Sequence, residues 1–161
     1  MTTPELSYRR PFIVRATPER AFEEYTAGRG GWWPHDHQLG KLPVLGIGFD
    51  PRVGGEWYER AIDGSRVKRG DVLVWEPPHR VVVTWPLVDP AAPGAAEIGS
   101  TEFELRFLPH GEGTTRVELE HRHLERTSRA DLVMGAVFSP YGWDLVVHNF
   151  TAYLASEPWF G

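Results

Sequence analysis

Between residues 43 and 123 the chain reads as a succession of short strand-like runs, and a long helical pattern begins only after them; this segregation limits the fold more than any other feature. The runs cover 44–50, 55–62, 68–75, 80–87, 101–109 and 114–123. Turn signals (DPRVGG, DGS, EPPH and PHGEGTT) separate them. Alternation is cleanest in the last two. Phe103, Leu105 and Phe107 share one face, opposed by Glu102, Glu104 and Arg106. Val117, Leu119, His121 and His123 share another, opposed by Arg116, Glu118, Glu120 and Arg122. Strands of this kind form an antiparallel sheet with one wet and one covered face.

The cover is a helix over 139–156, with Ser139 as N-cap and Pro140 as its first residue. Trp143, Val146, Val147, Phe150, Tyr153 and Leu154 give it one apolar face. Ahead of the sheet run lie a strand over 7–16, made an edge or bulged strand by Pro11, and a helix that starts at Thr17 and Pro18 and stops at the glycines 28, 30 and 31. The class is α+β, a curved antiparallel sheet of about six to seven strands gripping a long C-terminal helix, with one or two short helices after strand 1.

The chain of 161 residues fits one domain over 1–161. Without cysteine it has no disulfide, no thiolate metal site and no cysteine nucleophile. A net charge of −5 argues against general nucleic-acid binding. No run of 18 apolar residues is present, which argues against membrane insertion. The opening MTTPELSYRRPF lacks a basic start followed by an apolar stretch, so a cytoplasmic protein is expected.

Aromatic content points to function. Seven tryptophans occur, two of them in GRGGWWPHDH, where glycines and a proline leave little room for regular structure. A curved sheet around one helix leaves a space at one end. Trp32 and Trp33 are expected at its mouth, and Trp57, Trp75, Trp85, Phe103, Phe107, His121, Trp143, Val147 and Phe150 along its walls. Any one of these also has a plain reading as core. If Trp57 faces inward, alternation brings Glu59 inward too, where with His121 it offers an acid–base pair. The structural alternative is that Glu59 pairs with an arginine and His121 only hydrogen-bonds. HDH at 35–37 and HRH at 121–123 raise a metal site, but three or four supported ligands are needed, and none is expected. GRGG follows a helix, so it is no phosphate loop, and FSPYGW is no nucleophile elbow.

The ordered set ATPERAFEEYT, FDPRVGGEWYE, DGSRVKRGDVLVWEPPHRVVVTW, STEFELRF, GTTRVELEHRHL and GWDLVVHNFTAYL resembles the SRPBCC superfamily (START-like, Bet v 1-like), and within it the branch named after the activator of Hsp90 ATPase. GGWWP, GGEWYE and the GW of the last helix are also similar to the self-sacrifice resistance proteins of enediyne clusters, calicheamicin's among them. The resemblance implies a helix-grip fold with an internal cavity, a hydrophobic small molecule bound or transformed there, and no cofactor. For the self-sacrifice proteins it implies hydrogen abstraction from a glycine by a diradical drug. In this chain Gly94 and Gly99, in a loop expected over 87–100, are the candidates. Three functions follow: a binder of an aromatic or polyketide-like molecule, with self-resistance as one such role; a cyclase or aromatase; and a partner of an Hsp90-type chaperone.

Overall fold

The computed structural model describes residues 6–27, 31–34, 44–88, 97–127 and 142–156. Strands β1 (Ser7–Val14), β2 (Val44–Phe49), β3 (Glu56–Ala61), β4 (Arg66–Glu76), β5 (Arg80–Val88), β6 (Glu97–Pro109) and β7 (Thr115–Arg122) form one sheet. Its order is β1-β7-β6-β5-β4-β3-β2, with every neighbouring pair antiparallel. Helix α1 (Pro18–Thr26) follows β1, and α2 (Trp143–Ser156) closes the described chain. This is the expected α+β helix-grip arrangement. None of its described helices is long and apolar enough to cross a membrane.

Local sequence explains the elements. Thr17 caps α1, its hydroxyl accepting from the Arg20 amide at 3.3 Å, and Pro18 takes the first helical position. Pro11, opposite Glu118, is tolerated because β1 is an edge strand. In β7 Thr115, Val117, Leu119 and His121 are buried while Arg116 is exposed. Register shifts interrupt the β2–β3, β3–β4, β4–β5 and β5–β6 ladders. Such bulges bend and twist a sheet, which is how this one wraps a helix.

Helix α2 buries Trp143, Val146, Val147, Phe150 and Leu154. The Trp143 ring stacks on Phe103, centroids 4.7 Å apart and planes 8° from parallel. Two phenols pin the helix: Tyr8 donates to Asp144 at 2.9 Å and Tyr153 to Glu24 at 2.7 Å. The expected cap at Ser139 lies outside the described residues.

Two expectations are corrected here. The segment 87–100 is not simply a loop: β5 continues to Val88, β6 starts at Glu97, and Gly99 pairs with Leu87. Low strand propensity is overridden there by the ladder and by close packing. Gly99 has φ +144°, and a Cβ on it would lie 2.7 Å from the Arg126 carbonyl oxygen and 2.8 Å from Thr127 Cα. Gly99→Ala is therefore expected to destabilise the protein by about 1–3 kcal/mol, seen as a lower urea midpoint with an unchanged slope. Gly94 lies outside the described residues.

The second correction concerns His123, which does not continue the inward face of His121. β7 ends at Arg122, and His123 adopts φ 62°, which breaks the alternation. Its ring sits 3.9 Å from Glu102 and 3.7 Å from Glu125, so the two histidines part. The HDH histidines lie outside the described residues.

Candidate functional site

The inner ends of β3, β4 and β5 bring a charge pair into an aromatic setting. On β3 Trp57 and Glu59 both point inward, 1% and 0% exposed. Their partner comes from a bulge: Trp57 faces Gly70 and Tyr58 faces Lys68, leaving Arg69 as the extra residue on β4. Arg69 turns inward, and its Nη1 donates to Glu59 Oε2 at 2.6 Å. The guanidinium carbon lies 5.2 Å from the Trp57 ring centroid, 5.2 Å from Trp85 and 5.9 Å from Trp33. Within about 6 Å of a ring face a cation is attracted by the ring quadrupole, more so when water is excluded. Burial pulls the guanidinium pKa below its ordinary value, and the charge and hydrogen bond of Glu59 oppose that fall. Arginine remains cationic through such a shift.

Gly70 makes this packing possible. Trp57 Nε1 donates to the Thr84 carbonyl at 2.9 Å, and a Cβ on Gly70 would collide with that carbonyl and come within 2.6 Å of the indole nitrogen.

Beside the cage runs a closed hydrogen-bond relay. Trp143 Nε1 donates to His121 Nδ1 at 3.0 Å. An indole only donates, so Nδ1 accepts and the imidazole proton sits on Nε2. Nε2 faces Thr101 Oγ1 at 2.6 Å, and that hydroxyl donates to the Trp85 carbonyl at 2.9 Å. Every group is satisfied only with a neutral imidazole. Burial pushes the His121 pKa down to about 3, in accord with that requirement. His121 thus has both nitrogens committed and positions Trp143.

Rings connect these parts. Trp33 contacts Trp57 at 6.2 Å and Trp85 at 6.1 Å; Trp85 contacts Trp57 at 4.8 Å and Trp143 at 4.9 Å. Trp32 contacts Trp33 at 6.0 Å, Phe150 at 4.8 Å and Tyr25 at 4.8 Å. Asn149 Nδ2 holds this segment to α2 through the Trp32 carbonyl at 3.0 Å.

A family model described as Activator of Hsp90 ATPase homolog 1-like protein matches residues 15–155 of the chain. The chain belongs to this family.

Among 190 matching solved chains, Txn09, named as an anthrahydroquino-γ-pyrone synthase, is 33% identical to this Activator of Hsp90 ATPase homolog 1-like chain. That match covers 91% of this chain and 95% of Txn09, with a TM-score of 0.58. MLL2253 from Mesorhizobium loti is 16% identical, covering 96% and 100%, with a TM-score of 0.67. CalU16 from Micromonospora echinospora is 21% identical, covering 97% and 88%, with a TM-score of 0.56. The last two share the fold alone. No curated protein matches the sequence.

In this homolog 1-like chain the structure gathers Trp32, Trp33, Trp57, Trp85, Phe103, His121, Trp143 and Phe150 into one body of touching rings. Val147, 5% exposed, joins the same core from α2. Trp32 and Trp33 do not stand at a wet rim: they are 6% and 3% exposed. Trp75 packs against that core and Phe107 belongs to it, the two meeting through Phe22 at 5.0 and 5.3 Å. Along β4 Trp75 is five residues beyond Gly70, ~17 Å at strand spacing. It borders an outer groove of about 380 Å³ with Glu19, Glu23 and Pro77. Two residues of interest were not picked out from sequence, Arg69 and Tyr25. Gly70 inside a strand run is the signal for the bulge that delivers Arg69.

Proposed function

We propose that this chain binds a flat, oxygenated polycyclic aromatic of the polyketide kind among these rings and closes an oxygen-containing ring in it. The observation that carries this reading is the buried Glu59–Arg69 pair enclosed by Trp33, Trp57 and Trp85. Indole faces suit a planar ligand, and a fixed guanidinium suits oxygen that gains negative charge during reaction. The 33% identity to Txn09 over nearly both chains supports the same class of chemistry.

In such a closure a phenol oxygen of the ligand attacks a carbonyl carbon of its side chain. The phenolic proton passes to the Glu59 carboxylate, and the carbonyl electrons move onto oxygen beside Arg69. Glu59 then returns the proton to that oxygen, which becomes a hemiketal hydroxyl. The carboxylate next takes a proton from the neighbouring methylene carbon and passes it to the hydroxyl, which leaves as water while the C–H electrons form a ring C=C bond. The Trp32–Trp33 segment must shift to admit the ligand, because its rings pack against their neighbours.

A second reading, sequestration without turnover, is favoured by one observation: both nitrogens of His121 are occupied and Glu59 is paired, so the acid–base groups are engaged. A self-resistance protein of this kind would be fragmented stoichiometrically by an enediyne. The separating experiment incubates the protein with an aromatic polyketide carrying a free phenol and a β-diketone side chain. Mass spectrometry is expected to show loss of one water in many more molecules than there are protein chains. Arg69→Lys keeps the charge but loses the planar fork, so it is expected to fold and to turn over at least tenfold more slowly. Binding without conversion supports sequestration, and neither binding nor conversion contradicts both readings.

A further inference from the structure

We infer that the Tyr25 hydroxyl is the donor that receives a carbonyl oxygen of the bound aromatic, an inference that rests on the ligand reading above. Tyr25 stands on α1 and is 1% exposed. Its ring is held by Trp32 at 4.8 Å and by Phe150 at 5.1 Å, edge to face, with Phe49 at 6.2 Å and Phe103 at 6.3 Å beyond. Its oxygen is buried and has no hydrogen-bond partner among the described residues. The other phenols tied to helices behave differently, since Tyr8 and Tyr153 each donate to a carboxylate.

A buried hydroxyl without a partner loses its hydration and gains nothing in return. Phenylalanine would supply the same ring at this position without that penalty. The hydroxyl therefore has a use outside the unliganded fold, at the expense of stability, as functional groups commonly do. Burial raises its pKa, so it stays a neutral donor at any ordinary pH. A neutral donor in an apolar, ring-walled site recognises an uncharged acceptor on a flat frame, such as an aryl ketone or quinone carbonyl. Trp32 then Trp33 lead from Tyr25 to the Arg69 cage. The ligand class that satisfies both ends carries a carbonyl at one and an acidic oxygen at the other.

The experiment uses quenching of tryptophan fluorescence by three probes: fluorenone, which has one carbonyl, fluorene, which has none, and alizarin, which has carbonyls and acidic phenols. Wild type is expected to bind fluorenone at least tenfold more tightly than fluorene. Tyr25→Phe is expected to bind the two equally and, without ligand, to melt several degrees higher than wild type. A wild type that binds alizarin but shows no preference for the ketone overturns this inference and leaves the ligand reading standing. Retention of the preference in Tyr25→Phe, or a lower melting temperature for that variant, also overturns it. Failure of wild type to bind all three probes overturns both.

Discussion

Glu59→Leu alone is expected to cost about 3–5 kcal/mol of stability, and Glu59→Leu with Arg69→Met to restore most of that loss. Both side chains are nearly inaccessible, 0% and 6% exposed, and are joined at 2.6 Å. Removing the carboxylate strips a buried guanidinium in an indole cage of the ion-pair partner it holds at 2.6 Å, and breaking a buried pair from one side is among the most costly changes a core can take. Removing both charges exchanges two desolvation penalties for apolar contact with Trp33, Trp57 and Trp85. Urea midpoints for wild type, the two single variants and the double variant give the coupling energy directly. Singles as stable as wild type would mean that the pair is hydrated in solution, contrary to the geometry described. If the pair serves a ligand, the double variant is folded and does not turn over.

Lowering the pH from 6.5 to 3 is expected to remove roughly 4 kcal/mol of stability through His121 alone, since its folded pKa is about 3 against an ordinary 6.5. The sign follows from proton uptake. In this window the unfolded chain binds a proton at His121 and the folded chain does not, so acid favours unfolding. The contribution is fully present above pH 6.5 and is lost as the pH falls toward 3. About 2 kcal/mol of it goes between pH 6.5 and 5. Protonating Nδ1 would set an imidazolium N–H against the Trp143 N–H, which explains the direction structurally. His121→Gln keeps a donor and an acceptor but cannot take up this proton. Carboxylates titrate alike in both proteins, so the difference in urea midpoint between pH 7 and pH 5 isolates His121. Equal pH dependence in wild type and variant would contradict the neutral relay.

Much of this architecture is legible from short-range pattern. Thr17–Pro18 marks the first helix, Pro11 marks an edge strand, and the inward faces of Val117 with Leu119 and of Phe103 with Phe107 follow from alternation. Trp57 and Glu59 are two apart on one strand, so one inward residue predicts the other. Alternation fails where backbone geometry resets it. The bulge at Trp57/Tyr58 brings in Arg69, and the left-handed turn at His123 takes that ring away from His121. Gly99 reads as loop because its value is tertiary: it lets β6 pass against Arg126 and Thr127. Trp75 shares composition with the cage tryptophans but lies too far along β4 to join them. Tyr25 reads as one more apolar residue of a helix face, and only its surroundings reveal a buried hydroxyl with no hydrogen-bond partner among the described residues.

The most direct measurement is the indole N–H spectrum of ¹⁵N-labelled protein titrated with alizarin, since all seven tryptophans report separately. The signals of Trp33, Trp57 and Trp85 are expected to shift together and saturably while that of Trp75 stays in place. Shifts confined to Trp75, or none at saturating alizarin, would contradict a ligand site built around the Glu59–Arg69 cage.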